Sequence, residues 1–274
     1  MTKENGYKKH VLILCLIILL GLILRIYNLG TQDFWVDEAY SVYETQFSLE
    51  RIIFGVDSNP PFYYSLLYFW TKLIGISELK IRLLSVIFSV ISAWIFYLLG
   101  KLIFNKEVGL YSALFFSISP IHILYSQEAR TYSLLFLFSL LSVYFYLKLK
   151  RDFSKTNSIY YLISSVLLLY SHFYGLLILL VQNLDMLSSK LDFSEIRIPT
   201  GIKHWYIFQI IILISYLPFM IKLPMILSQG SISWIARPNF LDLILAFYAF
   251  VWGIGRSFFS EVLWIMFFII FFKF

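Results

Sequence analysis

Asp37 is the residue whose type and position most clearly suggest chemistry in this 274-residue chain. It follows Phe34-Trp35-Val36 a few residues after the first long apolar run ends, so it is tethered close to that run. A carboxylate within hydrogen-bond reach of an attacking hydroxyl can accept its proton, which is the role of a general base. Asp37 or Glu38 could instead stabilise the first turn of a short loop helix, where acidic side chains are favoured. Both interpretations stay open at this point.

Other polar residues lie in short segments between apolar runs. These segments are Gln127-Glu128-Ala129-Arg130-Thr131-Tyr132, His172 and Trp234-Ile235-Ala236-Arg237-Pro238. Charges at a membrane boundary are costly unless they are paired or face water, so they indicate a functional site. The alternative for Glu128 and Arg130 is a pair at a helix end, with each other or with lipid headgroups. The alternative for His172 is a polar residue whose hydrogen bonds are simply satisfied.

The elements that must position these residues are apolar helices. The chain is 60% hydrophobic and 14% charged, with a mean hydropathy of +0.79. Asp, Glu, Lys and Arg are missing from the runs Val11 to Leu24, Leu83 to Gly100, Val108 to Gln127, Thr131 to Leu147 and His204 to Ile221. Runs approaching about 20 residues span a bilayer as helices, because every backbone group must be bonded internally there. The sequence therefore predicts an all-α polytopic membrane protein.

The positive residues predict the orientation of these spans. With Lys8 and Lys9 in the cytoplasm, the segment Thr31 to Ile81 is extracytoplasmic, and Pro60 to Ile76 reads as an interfacial helix. The 29 residues from Thr156 to Leu184 carry no charge and would be about 43 Å long as one helix, which exceeds the bilayer core. We therefore expect a break at Ser171 to Gly175, which puts His172 outside and returns the bases Lys190, Arg197 and Lys203 to the cytoplasm.

The remainder is predicted to cross outward over His204 to Ile221, to form a second outer loop over Pro224 to Phe240, and to return over Leu241 to Gly255. Because the sequence stops inside an apolar run at Phe274, we expect the native chain to continue. Residues 1–274 are interpreted as one transmembrane domain with about eight or nine spans.

The polar segments resemble those of a known group of enzymes. The segments are Phe34-Trp35-Val36-Asp37-Glu38-Ala39-Tyr40-Ser41, Asn59-Pro60-Pro61-Phe62-Tyr63-Tyr64, Glu78 followed by Arg82-Leu83, Tyr125 to Tyr132, and Tyr170 to Gly175. In order and spacing they are similar to the membrane glycosyltransferases of family 39. That family has the GT-C fold, a transmembrane helical bundle with a large first outer loop, and includes protein O-mannosyltransferases and the aminoarabinose transferases of lipid A. The acidic pair in the first outer loop is its most specific mark.

The resemblance implies transfer of a hexose or pentose from a polyprenyl-phosphate carrier to an acceptor on the extracytoplasmic face of the plasma membrane. Asp37 matches the position of the family's catalytic acidic residue, and Glu38 is the second catalytic candidate. Arg130 would stabilise the charge that develops on the leaving phosphate. The remaining candidates for binding the donor's phosphate or sugar are Gln127, Glu128, Tyr132, His172 and Asn59.

Two positions depart from the family's pattern. Asn59 precedes the paired prolines where relatives often carry His or Lys, so one phosphate contact is missing. His172 stands where aminoarabinose transferases tend to have a Lys-Gly pair, which indicates a different donor or acceptor. The family's C-terminal domain is also not represented. The acceptor, whether protein, lipid or glycan, is left open.

Other classes are less consistent with the pattern. The chain has no phosphate-cradling glycine loop after a strand and no paired His or Cys at metal spacing, so we expect no nucleotide or organic cofactor. The net charge of +6 is explained by orientation in the membrane, and no nucleic-acid partner is expected. A divalent cation shared by Asp37 and Glu38 remains open. The main alternative is a transporter or lipid flippase, although transporters place their polar residues near the bilayer midplane. A third is a structural subunit whose outer loops bind a partner.

Overall fold

The computed structural model describes residues 2–55, 59–188 and 201–228, together with Asn239 and Leu241. Helices and loops without any strand make up this part of the chain. The helices are α1 (Thr2–Ile26), α2 (Val36–Glu44), α3 (Leu49–Phe54), α4 (Phe62–Ile74), α5 (Glu78–Ile103), α6 (Lys106–Ile118), α7 (Pro120–Ser126), α8 (Tyr132–Arg151), α9 (Lys155–Ser171), α10 (Gly175–Ser188), α11 (Gly201–Met220) and α12 (Leu223–Ser228).

Several helices are long and apolar enough to cross a membrane. Four described segments meet this condition, and a fifth does if α6 and α7 count as one bent span. The four are Lys8–Ile26, Glu78–Ile103, Tyr132–Arg151 and Lys203–Ile226. The predicted all-α polytopic fold is confirmed. The total of eight or nine spans stays a prediction, because the expected span from Leu241 to Gly255 lies outside the described residues apart from Leu241.

Local sequence signals explain where the helices begin and end. Asn105 caps α6 by accepting the backbone N–H of Val108 at 2.9 Å, and Ser77 and Ser154 accept in the same way at the starts of α5 and α9. Gly75 ends α4 with φ +80°, a conformation that glycine adopts without strain. Helix α4 buries Tyr63, Tyr64 and Leu67 on one side and exposes Phe69 and Leu73 on the other. That division is typical of the interfacial helix predicted here.

Helix α5 lies at the centre of the bundle and contacts α1, α4, α6, α7 and α8. Its closest approach is to α6, where a Cβ added to Gly100 would lie 2.9 Å from the Cα of Gly109. Small residues allow membrane helices to pack this tightly. The position of α5 matters for the site because Arg82, in its first turns, contacts the segment between α1 and α2.

A bend of 60° separates α6 from α7 at Ser119-Pro120. Pro120 has no N–H to give to the carbonyl of Phe116, so that acceptor needs another donor. Arg25 of α1, only 1% exposed, supplies it with a bond of 3.2 Å and donates to the Ser117 carbonyl at 2.9 Å. The same guanidinium donates to Ser89 Oγ at 2.8 Å. Arg25 thus fastens α1 to α5 and to the bend.

The predicted break after α9 is confirmed, since α9 ends at Ser171 and α10 begins at Gly175. Helix α10 then runs back along α8 and α9, because the carboxylate of Asp185 contacts Lys150 Nζ at 2.8 Å at the other end of the bundle. Lys190 and Arg197, on which the orientation argument also depends, lie outside the described residues. So do Trp234 and Arg237 of the expected second outer loop.

A neutral hydrogen-bond network joins α8, α9, α10 and α11. Tyr161 donates to Gln182 Oε1 at 3.0 Å, and Gln182 donates to Ser142 Oγ at 3.0 Å. The network continues from Gln209 Nε2 to the Tyr161 hydroxyl at 3.2 Å, from Asn183 to Gln209 Oε1 at 3.1 Å, and from Trp205 to Asn183 Oδ1 at 3.0 Å. It holds the second half of the bundle together without charge. We call this set the amide network.

Candidate functional site

Glu38 and Arg82 form the buried ion pair that organises one end of the bundle. Glu38 lies in the first turn of α2 and Arg82 in the first turns of α5. The two side chains meet in paired bonds, from Arg82 Nε to Oε1 at 2.9 Å and from Nη2 to Oε2 at 2.7 Å. The Glu38 side chain is 1% exposed. Such a fork geometry fixes both partners in position.

The remaining bonds of this pair tie three loop segments together. Arg82 also donates to the carbonyls of Leu29, Gln32 and Asp33, which order the turn between α1 and α2. Glu38 Oε1 accepts the backbone N–H of Ala129 at 2.8 Å. Every N–H of the guanidinium is therefore used, and both carboxylate oxygens are engaged. These contacts favour a structural role for Glu38, while its predicted catalytic role is not tested by them.

Asp37 and Arg130 lie together beside this ion pair. Arg130 Nη2 is 3.4 Å from Asp37 Oδ2, and Nη1 donates to the Asp37 carbonyl at 3.1 Å. The Asp37 side chain is 35% exposed, and its Oδ1 makes no hydrogen bond within the described part of the chain, so one oxygen stays free for a substrate. The expected alternative of a Glu128–Arg130 helix-end ion pair is not what forms, because Arg130 pairs with Asp37. The other alternative survives in part, since Asp37 does lie in the first turn of α2.

Glu128 is a half-buried carboxyl next to these charges. Burial, and next the nearby charge of Glu38, raises its pKa from 4.5 to about 7. Among the described residues no hydrogen bond or ion pair holds this side chain. Because perturbed carboxyls without a structural partner mark functional sites, Glu128 stands out here.

His172 and Tyr132 extend the site towards α9. His172 is 6% exposed, and burial, followed by the charge of Arg130, lowers its pKa to about 4. The ring is neutral at pH 7, and its Nδ1 accepts the backbone N–H of Tyr174 at 3.2 Å. The ring proton therefore belongs on Nε2, which is available to donate. Tyr132 lies between this ring, at 6.2 Å, and Tyr125, at 4.9 Å between ring centroids.

Two predicted site residues lie elsewhere around this end. Gln127 donates to the carbonyls of Arg25 and Tyr27, and so caps the C-terminal end of α1. Asn59 lines a separate polar cavity of about 140 Å³ together with Tyr40, Glu44, Arg51 and Tyr64. The predicted roles of Gln127 and Asn59 in donor binding stay predictions.

Glu38 is not available as a ligand for a divalent cation shared with Asp37. Both oxygens of Glu38 are already bound to Arg82 and to the backbone of Ala129. Over the described ranges no group of three or more His, Cys, Asp and Glu side chains could hold a metal. Asp37 alone is a poor ligand set for a divalent ion.

One feature of this end was missed by sequence reasoning. A cavity of about 220 Å³ lies between α5, α7 and α8, and Tyr125 and Tyr132 on either side of the 127–131 segment form part of its wall. Its lining includes His122, Phe116, Phe136, Tyr125, Tyr132 and Ser133. His122 escaped notice because it lies inside an apolar run, although Ser119-Pro120 just before it signals a broken helix.

Comparison with known families identifies the central part of the chain. Residues 58–183 match the model of a family described as dolichyl-phosphate-mannose-protein mannosyltransferase. The resemblance to membrane glycosyltransferases is confirmed. No curated protein matches the chain significantly. The matched segment contains Arg82, Glu128, Arg130 and His172, whereas Asp37 and Glu38 precede it and are joined to it by the contacts described above.

Proposed function

We propose that the protein transfers a sugar from a polyprenyl-phosphate carrier to a hydroxyl acceptor at the extracytoplasmic face of the membrane. The observation that carries this proposal is the contact between Asp37 and Arg130, at 3.4 Å. It joins a partly exposed carboxylate to the cation best suited to a phosphate, although the two are far apart in sequence. The family match over residues 58–183 supports the same reaction class and donor class.

In the proposed reaction, the acceptor oxygen attacks the anomeric carbon of the sugar. The bond between that carbon and the phosphate oxygen breaks, and the electron pair leaves with the phosphate. Asp37 takes the proton of the acceptor hydroxyl as the new glycosidic bond forms. Arg130 stabilises the negative charge that grows on the phosphate.

Two further side chains support the donor in this scheme. The Nε2–H of neutral His172 donates to a phosphate or sugar oxygen, since its Nδ1 is already occupied by Tyr174. Glu128, with a pKa near 7, is protonated in a large fraction of molecules at neutral pH and then donates to the same groups. A fully ionised carboxylate in that position would repel a phosphate instead.

Glu38 and Arg82 act in this proposal by holding the machinery in place. Their ion pair fixes the first turn of α2, and the bond from Ala129 fixes the loop that carries Arg130. Catalytic geometry must be maintained to within a fraction of an ångström, so such support affects the rate without touching the substrate. Glu38 is therefore proposed as a positioning residue.

The test is a transfer assay with purified protein, a short-chain polyprenyl-phosphate sugar and a panel of hydroxyl acceptors. Asp37→Asn keeps the shape of the side chain but cannot take a proton, so transfer should fall by about 10² to 10⁴ fold with unchanged thermal stability. Asp33→Asn is the matched control, because that side chain is exposed in the same loop. Equal rates for Asp37→Asn and the unmodified protein would contradict the proposed mechanism.

The proposed face of the membrane is tested separately by cysteine labelling in intact cells. Thr31 and Thr156 are both exposed and lie at opposite ends of the bundle, so Thr31→Cys and Thr156→Cys form a matched pair in a Cys15→Ser background. We expect an impermeant reagent to label only Thr31→Cys. Labelling of Thr156→Cys alone would reverse the proposed orientation.

A further inference from the structure

We infer that the cavity containing His122 is the pocket for the sugar ring of the lipid-linked donor. This inference rests on the proposed function, and it assigns a specificity role to a residue outside the Asp37–Arg130 site. The wall of the pocket includes Tyr125 and Tyr132, which flank the segment that carries Glu128 and Arg130. We call it the His122 pocket.

The walls of the His122 pocket suit a polyhydroxylated ring. Phe116 and Phe136 stack with ring centroids 5.2 Å apart and planes 6° apart, and His122 lies against both at 4.4 and 4.5 Å. A sugar ring presents C–H groups on its faces and hydroxyls at its edge. Ligand pockets of this kind combine aromatic surface with a few convergent polar groups.

The polar groups of the pocket are those that the fold does not use. His122 has no hydrogen-bond partner within the described part of the chain, and neither does the Tyr125 hydroxyl. Of the serine hydroxyls in the wall, Ser89 accepts from Arg25, whereas Ser92 donates to the Phe88 carbonyl at 2.8 Å and Ser133 to the Tyr125 carbonyl at 3.0 Å. The oxygens of Ser92 and Ser133 retain lone pairs that can accept. The rest of the wall is largely apolar, so the imidazole and the hydroxyls are the points at which a sugar's own hydroxyls can bond.

The pocket also points to the donor rather than the acceptor. Tyr132 forms part of its wall and interacts with the side chain of Arg130, the proposed phosphate ligand. A sugar in the pocket would therefore have its anomeric phosphate next to Arg130. A polyprenyl tail is a poorer occupant, because it would leave the imidazole and the hydroxyls without hydrogen bonds in an apolar setting.

His122→Leu tests this assignment because it removes the imidazole while filling similar space. Binding is measured with three short-chain probes, namely bare polyprenyl phosphate and the mannosyl and glucosyl phosphates of the same polyprenol. We expect His122→Leu to weaken binding of at least one sugar-bearing lipid by about three- to tenfold. Binding of the bare lipid should stay within about twofold, which also reports that the protein is folded.

Three variants complete the design. His122→Gln keeps hydrogen-bonding groups and should recover part of the loss. Ser92→Val adds a methyl group to the pocket and loses only a bond within α5, so it should selectively weaken the sugar-bearing lipids even if His122→Leu fails to fold. His10→Leu is the matched control, since His10 bonds to Tyr97 at the opposite end of the bundle.

The outcomes separate this inference from the proposed function. If both His122→Leu and Ser92→Val keep the full preference for sugar-bearing lipids, the pocket assignment is overturned even where the unmodified protein transfers sugar. A rise in KM for the acceptor alone would also overturn it, because the ring bound there would belong to the acceptor. If the preference depends on His122 but no sugar is transferred to any acceptor, the pocket stands and the proposed reaction fails.

Discussion

The two ends of the bundle handle buried polar groups in opposite ways. The amide network between α8 and α11 uses neutral side chains, and its links between Tyr161, Gln182, Ser142 and Gln209 lie between 3.0 and 3.2 Å. The segments that carry Asp37, Glu128 and Arg130 instead concentrate charges, and several groups there remain incompletely bonded. Glu128 has no partner among the described residues, and Arg130 Nε is buried without one.

This difference indicates that the neutral network serves the stability of the protein, whereas the incompletely bonded charges serve its function. In a membrane, polar groups that bond to each other specify how helices pack, and neutral ones do so without the cost of burying charge. Groups left unsatisfied near water cost stability and persist where a ligand completes them. The Glu38–Arg82 pair is the exception at the charged end, because its bonds are complete.

Substitution of Glu38 is expected to cause the largest loss of stability. Glu38→Gln leaves the Arg82 guanidinium buried beside a neutral amide, and breaking a buried pair costs about 3 to 5 kcal/mol. Unfolding of the purified protein in detergent should show a large fall in melting temperature together with loss of transfer. Glu50→Gln, an exposed substitution in the first turn of α3, is the control. If the Glu38→Gln protein is stable but inactive, Glu38 takes part in catalysis and does not only hold the structure in place.

Arg130 should affect function more than stability. If its planar fork binds phosphate at two points, Arg130→Lys keeps the charge but loses the geometry, and should lower transfer almost as much as Arg130→Ala, by roughly 10- to 100-fold. Binding of bare polyprenyl phosphate should weaken in parallel. Arg151→Lys at the opposite end of α8 is the control. Tight lipid binding by Arg130→Ala would mean that Arg130 serves only Asp37.

Glu128 provides a pH test of the same distinction. Its pKa is raised on folding, so its neutral form stabilises the protein below about pH 4.5, and that stabilisation is lost as the pH rises through about 7. Glu128→Gln removes the charged form and should raise the melting temperature at pH 8 while leaving it unchanged at pH 4. Glu50→Gln should show no such difference between the two pH values. An unchanged melting temperature at pH 8 would argue against a half-buried carboxyl.

A substitution in the amide network is expected to cause the smallest loss of stability. Gln182→Leu removes bonds to Tyr161 and Ser142, and bonds of this kind between membrane helices contribute about 0.5 to 2 kcal/mol. The melting temperature should fall modestly, while transfer per folded molecule stays the same. A specific loss of activity without loss of stability would mean that the network takes part in function.

Much of the fold was predictable because it depends on length and on residues that interrupt helices. The break at His172 followed from an apolar stretch too long for one span, and helix α4 followed from paired prolines before aromatic residues, while its interfacial position stays a prediction. The contacts between Asp37 and Arg130 and between Glu38 and Arg82 were not predictable from the residues alone. They join distant loops, and only the resemblance to a family suggested a common site.

Other features were not predictable because they depend on burial and on backbone contacts, which no local sequence pattern records. The pKa of Glu128 depends on how far neighbouring loops bury it, which no local pattern records. Two of the partners of Arg25 are the Phe116 and Ser117 carbonyls at the bend, and backbone acceptors carry no side-chain signature. His122 was overlooked because it lies within an apolar run. The cavity that it lines is a property of the packed helices and leaves no local pattern in the sequence.

The bonds of Arg25 have a consequence for how the protein is made. Its acceptor in α6, the Ser117 carbonyl, is synthesised 92 residues later. Translation proceeds at roughly 5 to 20 residues per second, so on the order of ten seconds pass between the synthesis of Arg25 and that of Ser117. During that time the guanidinium can bond only within α1, as it does to the Gly21 carbonyl at 3.0 Å, and a charge in a membrane helix costs about 3 kcal/mol on insertion scales. The high mean hydropathy of Lys8–Ile26, 2.4, favours insertion of the helix in spite of this cost.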